Sequence, residues 1–238
     1  MVHTYSYKTI QEAYKHIVED LLSSPIVNNT HEINNCFFTV EKPSLTNYYL
    51  PYRNLSEKYL IEELKWYWSG DNKCETIGKH AKMWLSLTDD GITNNSAYGY
   101  ILKYKYNKDQ IQEVINILKK DPYSRRGIIN ISDPTLNKQT TKDLQCTVCL
   151  QFMIRDNKLD VTVVMRSNDI YFGLPYDYYY FVSLQYYIAN QLNVEVGQYN
   201  HLSISMHMYL RDEEKFKTYD VQPINIDIKG IIKEYYEK

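Results

Sequence analysis

The segment that most constrains the fold of this chain is the long apolar run at residues 178–192, "YYYFVSLQYYIANQL". Its length and composition predict a helix that is apolar enough around its circumference to be buried. Strand-like runs lie on both sides of it in the chain, at 146–155, 159–167 and 201–209. The pattern therefore predicts a largely buried sheet against which helices pack.

The remaining predicted elements alternate irregularly along the chain. They are three amphipathic helices at 9–23, 56–70 and 109–120, and two strands at 35–41 and 127–132. Ser56 is placed to cap the second helix, which Gly70 ends, and Pro122 stops the third. The order predicts a single α+β domain over residues 1–238, with a mixed sheet packed by helices.

Composition and charge argue against several classes of protein. The net charge of -2 provides no overall positive field, so nucleic acid is not an expected partner. The chain has no apolar run of transmembrane length, and its first residues lack the apolar core of a secretion signal. We therefore expect a cytoplasmic protein without membrane association, in which the four cysteines are reduced thiols.

The cysteines of "CTVC", Cys146 and Cys149, have the spacing of redox pairs and of half of a zinc site. Their strand-like context argues against both, because residues three apart on a regular strand point to opposite faces. We therefore expect no metal ion at this pair. Either both are small buried apolar side chains, or one is a nucleophile that needs nearby positive charge to form a thiolate.

Arginines provide such charge at two ends of predicted strands. Arg125 and Arg126 directly precede "GIINIS", and Arg166 with Ser167 ends the run "LDVTVVMRS". A guanidinium matches the oxygens of a phosphate, and a serine hydroxyl adds another donor. The positions indicate a phosphate site, and ordinary surface salt bridges are the alternative.

Other polar residues allow both a structural and a functional interpretation. Glu63 shares a helix face with aromatic residues such as Tyr59, so it is either an edge residue that reaches water or an acid/base with a raised pKa. His207 and Tyr209 lie on one face of a predicted strand, where they can hydrogen-bond a sugar or satisfy a core. Asp177 precedes the long apolar run and is most simply its N-cap.

Taken together, six motifs resemble the thymidylate synthase family, which includes the deoxycytidylate hydroxymethylases. In order they are "EELKWYW", "SAYGY", "DPYSRRGIINIS", "CTVCLQF", "RSNDIYFGLPYD" and "HMY". The resemblance covers about residues 56 to 210, and the "SRRGI" and "RSND…GLP" segments are the most specific. It implies an α+β domain that forms a two-fold homodimer through its sheet.

The resemblance also implies substrates and catalytic residues. The substrate is a pyrimidine nucleoside 5'-monophosphate, and 5,10-methylenetetrahydrofolate is the one-carbon donor. Carried over position by position, Cys146 is the nucleophile, Glu63 is the general acid/base, and Tyr98 assists proton transfer. Asp177 stands at the position that contacts the base.

Binding roles carry over in the same way. Arg166 and Ser167 hold the phosphate in their own subunit, whereas Arg125 and Arg126 reach the phosphate of the neighbouring subunit. The other nucleotide-binding positions implied by the resemblance are Gln151, Asn168, Asp169, Gly173, His207 and Tyr209. The positions implied for folate are Trp84, Glu63, Asp169 and Gly173.

The chemistry explains why these residue types are needed. A pyrimidine C5 is a poor nucleophile, and attack of a thiolate at C6 makes it enamine-like. An arginine beside the thiol favours its charged form. Loss of the C5 proton and of tetrahydrofolate then leaves an exocyclic methylene, which a synthase reduces and a hydroxymethylase hydrates.

Departures from the synthases favour the hydroxymethylase branch. Asp177 stands where the synthases have asparagine, and a carboxylate accepts from the N4 amino group and a protonated N3 of cytosine. Thr147 stands where the synthases usually have histidine after the nucleophile. Gln145 replaces a proline, and "SSPIVNNTHE" contains none of the arginine that grips phosphate in the synthases.

The leading prediction is hydroxymethylation of dCMP, an activity that serves bacteriophage DNA modification in this family and fits a phage protein in host cytoplasm. The alternatives are methylation of dUMP or a related nucleotide, and hydroxymethylation of CMP. A nucleotide- or RNA-binding relative without activity is a third, and a CxxC metal or redox module is the weakest.

Overall fold

The computed structural model describes residues 3–217 and 221–237. Its strands are β1 (His3–Tyr7), β2 (Ile26–Val27), β3 (Thr30–Val40), β4 (Gly127–Asn130), β5 (Thr147–Arg155), β6 (Lys158–Met165), β7 (Asn168–Asp169) and β8 (Glu195–Tyr209). Its helices are α1 (Ile10–Leu22), α2 (Glu57–Ser69), α3 (Cys74–Gly78), α4 (Tyr98–Lys103), α5 (Gln110–Lys120), α6 (Leu174–Leu192), α7 (Leu210–Glu213) and α8 (Ile228–Tyr235). Short 3₁₀ turns lie at Lys82–Leu85 and Pro134–Leu136.

The strands form one mixed sheet in the order β1-β3-β8-β6-β5-β4, with β2 beside β3 and β7 beside β8. The pairs β1–β3, β6–β8 and β7–β8 are parallel, and the other pairs are antiparallel. Helix α6 packs on β6 and β8, while α1 packs on β3. The predicted α+β class with a mixed sheet packed by helices is therefore confirmed.

Helix α6 is buried over nearly its whole length, as its apolar sequence predicts. Its tyrosines bury large rings, each removing about 150–250 Å² from water, and can still satisfy their hydroxyl groups. The Tyr179 hydroxyl donates to the carbonyl of Leu45 at 2.8 Å. The Gln185 amide donates to the carbonyl of Leu159 at 2.8 Å, which ties the helix to the sheet.

The predicted ends of the other helices are confirmed by their caps. The hydroxyl of Ser56 accepts from the amide of Tyr59, and Gly70 ends α2 in the left-handed region with φ 72°. Asp109 caps α5 through the amide of Gln112, as a short acceptor side chain does at this position. No helix among the described residues is both long and apolar enough to cross a membrane.

Three boundaries differ from the sequence-based expectation. Strand β3 begins at Thr30, five residues before the predicted 35–41 run, because β3 pairs with β8 along nearly its whole length. Strand β5 begins at Thr147, so Cys146 lies just outside it. Helix α6 begins at Leu174 rather than at 178, because the proline that follows is favourable in a first helical turn.

One face of the sheet is only half-buried in the single chain. The register places Leu202 between Phe37 and Val164, and Val164 opposite Cys149, in a row that crosses four strands. All four side chains are partly accessible, whereas the alternate residues on these strands are mostly buried. A sheet that buries one face against helices leaves the other face available to a partner.

Candidate active site

A cavity of about 780 Å³ lies where helix α2, the starts of β5 and α6, and the end of β8 come together. Twelve of the residues singled out from the sequence line it: Glu63, Trp84, Tyr98, Cys146, Arg166, Ser167, Asn168, Asp169, Gly173, Asp177, His207 and Tyr209. Positions far apart in the chain are therefore brought to one place. Arg125, Arg126 and Gln151 are the three that lie elsewhere.

Cys146 lies directly before β5, with its thiol beside a guanidinium. Arg166 contacts the Cys146 Sγ through Nη2 at 3.7 Å, and the same nitrogen donates to the carbonyl of Leu144 at 2.9 Å. Its Nε donates to the carbonyl of Gln145 at 2.9 Å, which fixes the arginine against the segment that carries the nucleophile. The geometry thus joins the two residues that the sequence related only by charge.

The net effect on the thiol differs from the expectation. Burial raises the pKa of Cys146 to about 11, and the lowering by Arg166 offsets only part of that increase. The expectation that the arginine leaves Cys146 in its charged form is wrong for the free protein, because desolvation is the larger effect. Cys146 is therefore a thiol at rest, and a thiolate has to form during the reaction.

The second cysteine of "CTVC" does not join this site. Cys149 lies on β5 beyond a register irregularity between Thr147 and Cys149, and it is absent from the residues lining the cavity. Among the described residues, no group of three or more His, Cys, Asp or Glu side chains is placed to hold a metal ion. The two sulfurs therefore have different surroundings, and only Cys146 faces the cavity.

Glu63 is a buried carboxyl, only 5% exposed, on helix α2. Burial raises its pKa to about 8, the hydrogen bond from Tyr59 lowers it, and the nearby Asp177 raises it further. The Tyr59 hydroxyl donates to Glu63 Oε1 at 2.6 Å and accepts from the Trp84 indole at 2.9 Å. The interpretation as an edge residue that reaches water is wrong, and the surroundings are those of an acid/base near neutral pH.

Asp177 is 9% exposed and lies within the first turn of α6. The N-cap of this helix is Gly173, and the Asp177 amide itself donates to the Gly173 carbonyl at 3.0 Å. The interpretation of Asp177 as the N-cap is therefore wrong, since the helix begins four residues earlier than a cap role requires. Its side chain instead lines the cavity.

The Asp177 carboxyl is held by an asparagine from the adjacent strand. Asn168 Nδ2 donates to Asp177 Oδ2 at 3.0 Å, and burial raises the pKa of Asp177 to about 7. Gly173 allows this contact, because a Cβ there would lie 2.9 Å from Asn168 Nδ2 and 3.0 Å from the carbonyl oxygen of Asp169. One carboxyl oxygen is thus fixed, and the other remains for a ligand.

Asp169, His207 and Tyr209 form the wall of the cavity beside the Asn168–Asp177 pair. Asp169 accepts from the amide of Tyr171 at 2.7 Å, and it pairs with His207 in the parallel register of β7 and β8. The rings of His207 and Tyr209 meet edge-on at 5.2 Å, and both line the cavity. The predicted common face of these two residues is confirmed.

Tyr98 lies deep in the cavity wall at the start of α4. Its ring stacks on Tyr67 at 5.2 Å, and its hydroxyl accepts from Thr147 at 3.0 Å. Burial holds the pKa of Tyr98 well above its ordinary value, so the phenol stays protonated. The threonine after the nucleophile therefore positions a neutral phenol beside the reacting thiol.

Arg125, Arg126 and Gln151 lie together in another part of the chain. Gln151 Nε2 donates to the Arg125 carbonyl at 2.9 Å, and both arginines line a separate cleft with Lys120 and Arg155. The prediction that Gln151 supports a nucleotide finds no contact with the cavity of its own chain, since its side chain holds the arginine segment instead. Gln151 lies on the half-buried sheet face, opposite Ile128 and Thr162.

Two cavity residues escaped the sequence reasoning. Arg53 is buried beside the cavity, stacks over the Tyr171 ring at 4.0 Å and donates to the Tyr171 carbonyl at 3.0 Å. It lies in an irregular loop between Tyr52 and Asn54, where spacing gives no signal. Tyr59 was recognised only as a neighbour of Glu63, although its position four residues before Glu63 could have predicted the contact.

The comparison with known proteins agrees with this arrangement. A family model for thymidylate synthase matches residues 13–222, which is most of the chain. The chain therefore belongs to the thymidylate synthase family, whose enzymes transfer one carbon from methylenetetrahydrofolate to pyrimidine nucleotides. The resemblance inferred from the six motifs is confirmed.

Relatives with curated names divide between related activities. The deoxycytidylate 5-hydroxymethyltransferase of Enterobacteria phage T6 is 30% identical over 221 residues, covering 84% of this chain and 86% of that protein. The deoxyuridylate hydroxymethyltransferase of Bacillus phage SP01 is 27% identical over 241 residues, covering 94% of this chain but only 63% of that protein. A putative thymidylate synthase of Methanothermobacter marburgensis is 28% identical over 225 residues, covering 88% and 94% respectively.

Proposed function

We propose that this protein converts dCMP to 5-hydroxymethyl-dCMP with 5,10-methylenetetrahydrofolate, through a covalent adduct between Cys146 and C6 of the base. The observation that carries the choice of cytosine is Asp177, a buried carboxyl that faces the cavity and is fixed by Asn168. A buried polar group without a complementary partner costs free energy, so its hydrogen-bonding pattern selects the base.

The pattern of Asp177 suits cytosine. Because Asn168 donates to one carboxyl oxygen, the carboxyl accepts there whatever its protonation state. Burial raises its pKa to about 7, so near neutral pH a single proton can be shared between the free oxygen and N3 of cytosine. The N4 amino group then donates to the carboxyl, whereas the O4 of uracil would present lone pairs to an ionised Asp177.

The same shared proton prepares the base for attack. A proton at N3 withdraws electrons from the ring and makes C6 more electrophilic. The Cys146 sulfur attacks C6 as its proton leaves, and Arg166, 3.7 Å away, stabilises the charge that develops on sulfur. The raised pKa of Cys146, to about 11, keeps the thiol unreactive until a base is bound.

Proton transfers after the adduct fall to Glu63 and Tyr98. Glu63, with a pKa raised to about 8 by burial, can give and take a proton near neutral pH. The Tyr98 phenol stays neutral and lies beside Thr147, next to the nucleophile, which suits removal of the C5 proton through water. In this proposal water adds to the exocyclic methylene and tetrahydrofolate leaves unoxidised.

The rest of the nucleotide and the folate are assigned to the other cavity residues. Arg166 and Ser167 hold the phosphate, and His207 and Tyr209 contact the sugar hydroxyl. When bound, methylenetetrahydrofolate supplies the one-carbon unit. The aromatic wall at Trp84 and the close backbone approach at Gly173 and Asp169 fit a flat heterocycle.

Hydroxymethylation of dUMP is the second candidate. Its support is the similarity of this chain to a phage protein named for that activity. It requires Asp177 to present a donor to O4, which only the protonated acid can do. CMP and dUMP methylation are further substrates and outcomes that one assay separates.

The test is a substrate panel with labelled methylenetetrahydrofolate and dCMP, CMP, dUMP or UMP. We expect a hydroxymethyl product from dCMP by mass, with tetrahydrofolate as the only folate product. Dihydrofolate, followed by its absorbance, would show methylation instead. Absence of any C5 product from both cytidylates would refute the proposal.

A further inference from the structure

A chain of two hydrogen bonds ends on the Glu63 carboxyl, and its direction is fixed by chemistry. The Trp84 indole nitrogen can only donate, and it donates to the Tyr59 hydroxyl at 2.9 Å. The single hydroxyl hydrogen of Tyr59 is then free for one acceptor, and Glu63 Oε1 lies 2.6 Å away. Tyr59 therefore donates to Glu63 and cannot accept from a Glu63 proton while Trp84 occupies its lone pair.

This direction distinguishes the two oxygens of the carboxyl. Oε1 is engaged as an acceptor, so a proton bound by Glu63 belongs on Oε2. Within residues 3–217 and 221–237, Oε2 has no hydrogen-bond partner, and Glu63 lines the cavity. The proton that can reach a substrate is thus held on the oxygen left open to the cavity.

We propose that Tyr59 is a positioning residue that fixes Oε2 as the proton-carrying atom of Glu63 and stabilises the ionised form of that carboxyl. The role in turnover rests on the function proposed above, because it assumes that Glu63 transfers protons during the reaction. The effect on the carboxyl itself is independent of that function. Tyr59 does not touch the reacting atoms, and it acts only through Glu63.

Other groups facing Glu63 do not replace this hydrogen bond. The ionisable groups that act on the carboxyl are Asp177 of α6 and the phenols of Tyr59, Tyr67 and Tyr176. Asp177 and burial both raise the pKa of Glu63, whereas the hydrogen bond from Tyr59 lowers it. Removing the Tyr59 hydroxyl therefore leaves only effects that favour the neutral acid.

The experiment is Tyr59→Phe, which keeps the ring against Tyr176, an edge-on contact at 4.9 Å. Infrared difference spectra against Glu63→Gln isolate the protonated carboxyl of Glu63 and give its titration without turnover. We expect the midpoint in Tyr59→Phe to move up by about one pH unit. In the dCMP assay, the limb of the kcat profile set by Glu63 should move in the same direction, with kcat about tenfold lower.

Tyr179→Phe is the matched control, because it also removes one buried phenol hydrogen bond, 2.8 Å to the Leu45 carbonyl, away from the cavity. It should leave both the titration and the pH profile unchanged. An unshifted carboxyl titration in folded Tyr59→Phe would overturn the inference. A shifted titration in a protein that transforms none of the four nucleotides would support the role of Tyr59 and refute the proposed function.

Discussion

Three residues of the cavity are held in the protonation state that costs least when buried. Cys146, Glu63 and Asp177 all have raised pKa values, and in each case burial is the largest cause. Placing ionisable groups in such a cavity lowers stability wherever the pH forces them to ionise. The structure accepts this cost at a site where groups with pKa values near neutrality can exchange protons.

Asp177 gives this cost a measurable form. Its folded pKa is raised to about 7, so its contribution to stability is present below its unfolded pKa and is lost as pH rises through 7. An amide at this position does not ionise and avoids the loss. We expect Asp177→Asn to gain stability relative to wild type on going from pH 4.5 to pH 8, on the order of 2 kcal/mol.

Urea unfolding at the two pH values measures this difference. Asp156→Asn is the control, since Asp156 is exposed in the turn between β5 and β6. That control should show the same stability difference from wild type at both pH values. A pH-independent difference for Asp177→Asn would contradict the raised pKa.

At the scale of single elements, residue patterns predicted the helices well where local chemistry marks their ends. Ser56 and Gly70 delimit α2 because a capping hydroxyl and a left-handed glycine act locally. The start of α6 was misplaced because the apolar run was taken as the helix, although Pro175 favours an earlier first turn. That shift of four residues changes Asp177 from a cap to a cavity residue.

The sequence could not reveal effects that arise only from packing. The register irregularity between Thr147 and Cys149 has no glycine or proline to mark it. The pKa of Cys146 depends on how deeply the thiol is buried, which no motif states. Arg53 reaches the cavity from an irregular loop, so neither helical nor strand periodicity applies to it.

At the scale of the whole molecule, the half-buried sheet face and the arginine cleft suggest one explanation. Arg125 and Arg126 line a cleft that excludes Cys146, and Gln151 connects that segment to the open face of the sheet. A two-fold dimer through this face would place one subunit's arginines near the other subunit's cavity. This remains a prediction from the family resemblance.

Mixing two inactive variants tests the dimer. Cys146→Ser lacks the nucleophile and Arg126→Glu lacks the phosphate contact given to the neighbouring subunit. After denaturation and refolding together, half of the dimers should be mixed, and each has one complete site. We expect recovery of about a quarter of wild-type activity.

The control mixture is Cys146→Ser with Glu63→Gln, because both residues line the cavity of the same chain. No mixed dimer of this pair contains a complete site, so activity should not return. Equal failure of both mixtures, with dimers present by ultracentrifugation, would contradict a shared site.

The central claim is that Asp177 makes this member of the family act on cytosine. The most direct measurement is the ratio of kcat/KM for dCMP to that for dUMP, in wild type and in Asp177→Asn, with hydroxymethyl products counted by mass. We predict that dCMP is strongly preferred by wild type and that the ratio falls about a hundredfold in the variant. An unchanged ratio in a folded, active variant would contradict the account.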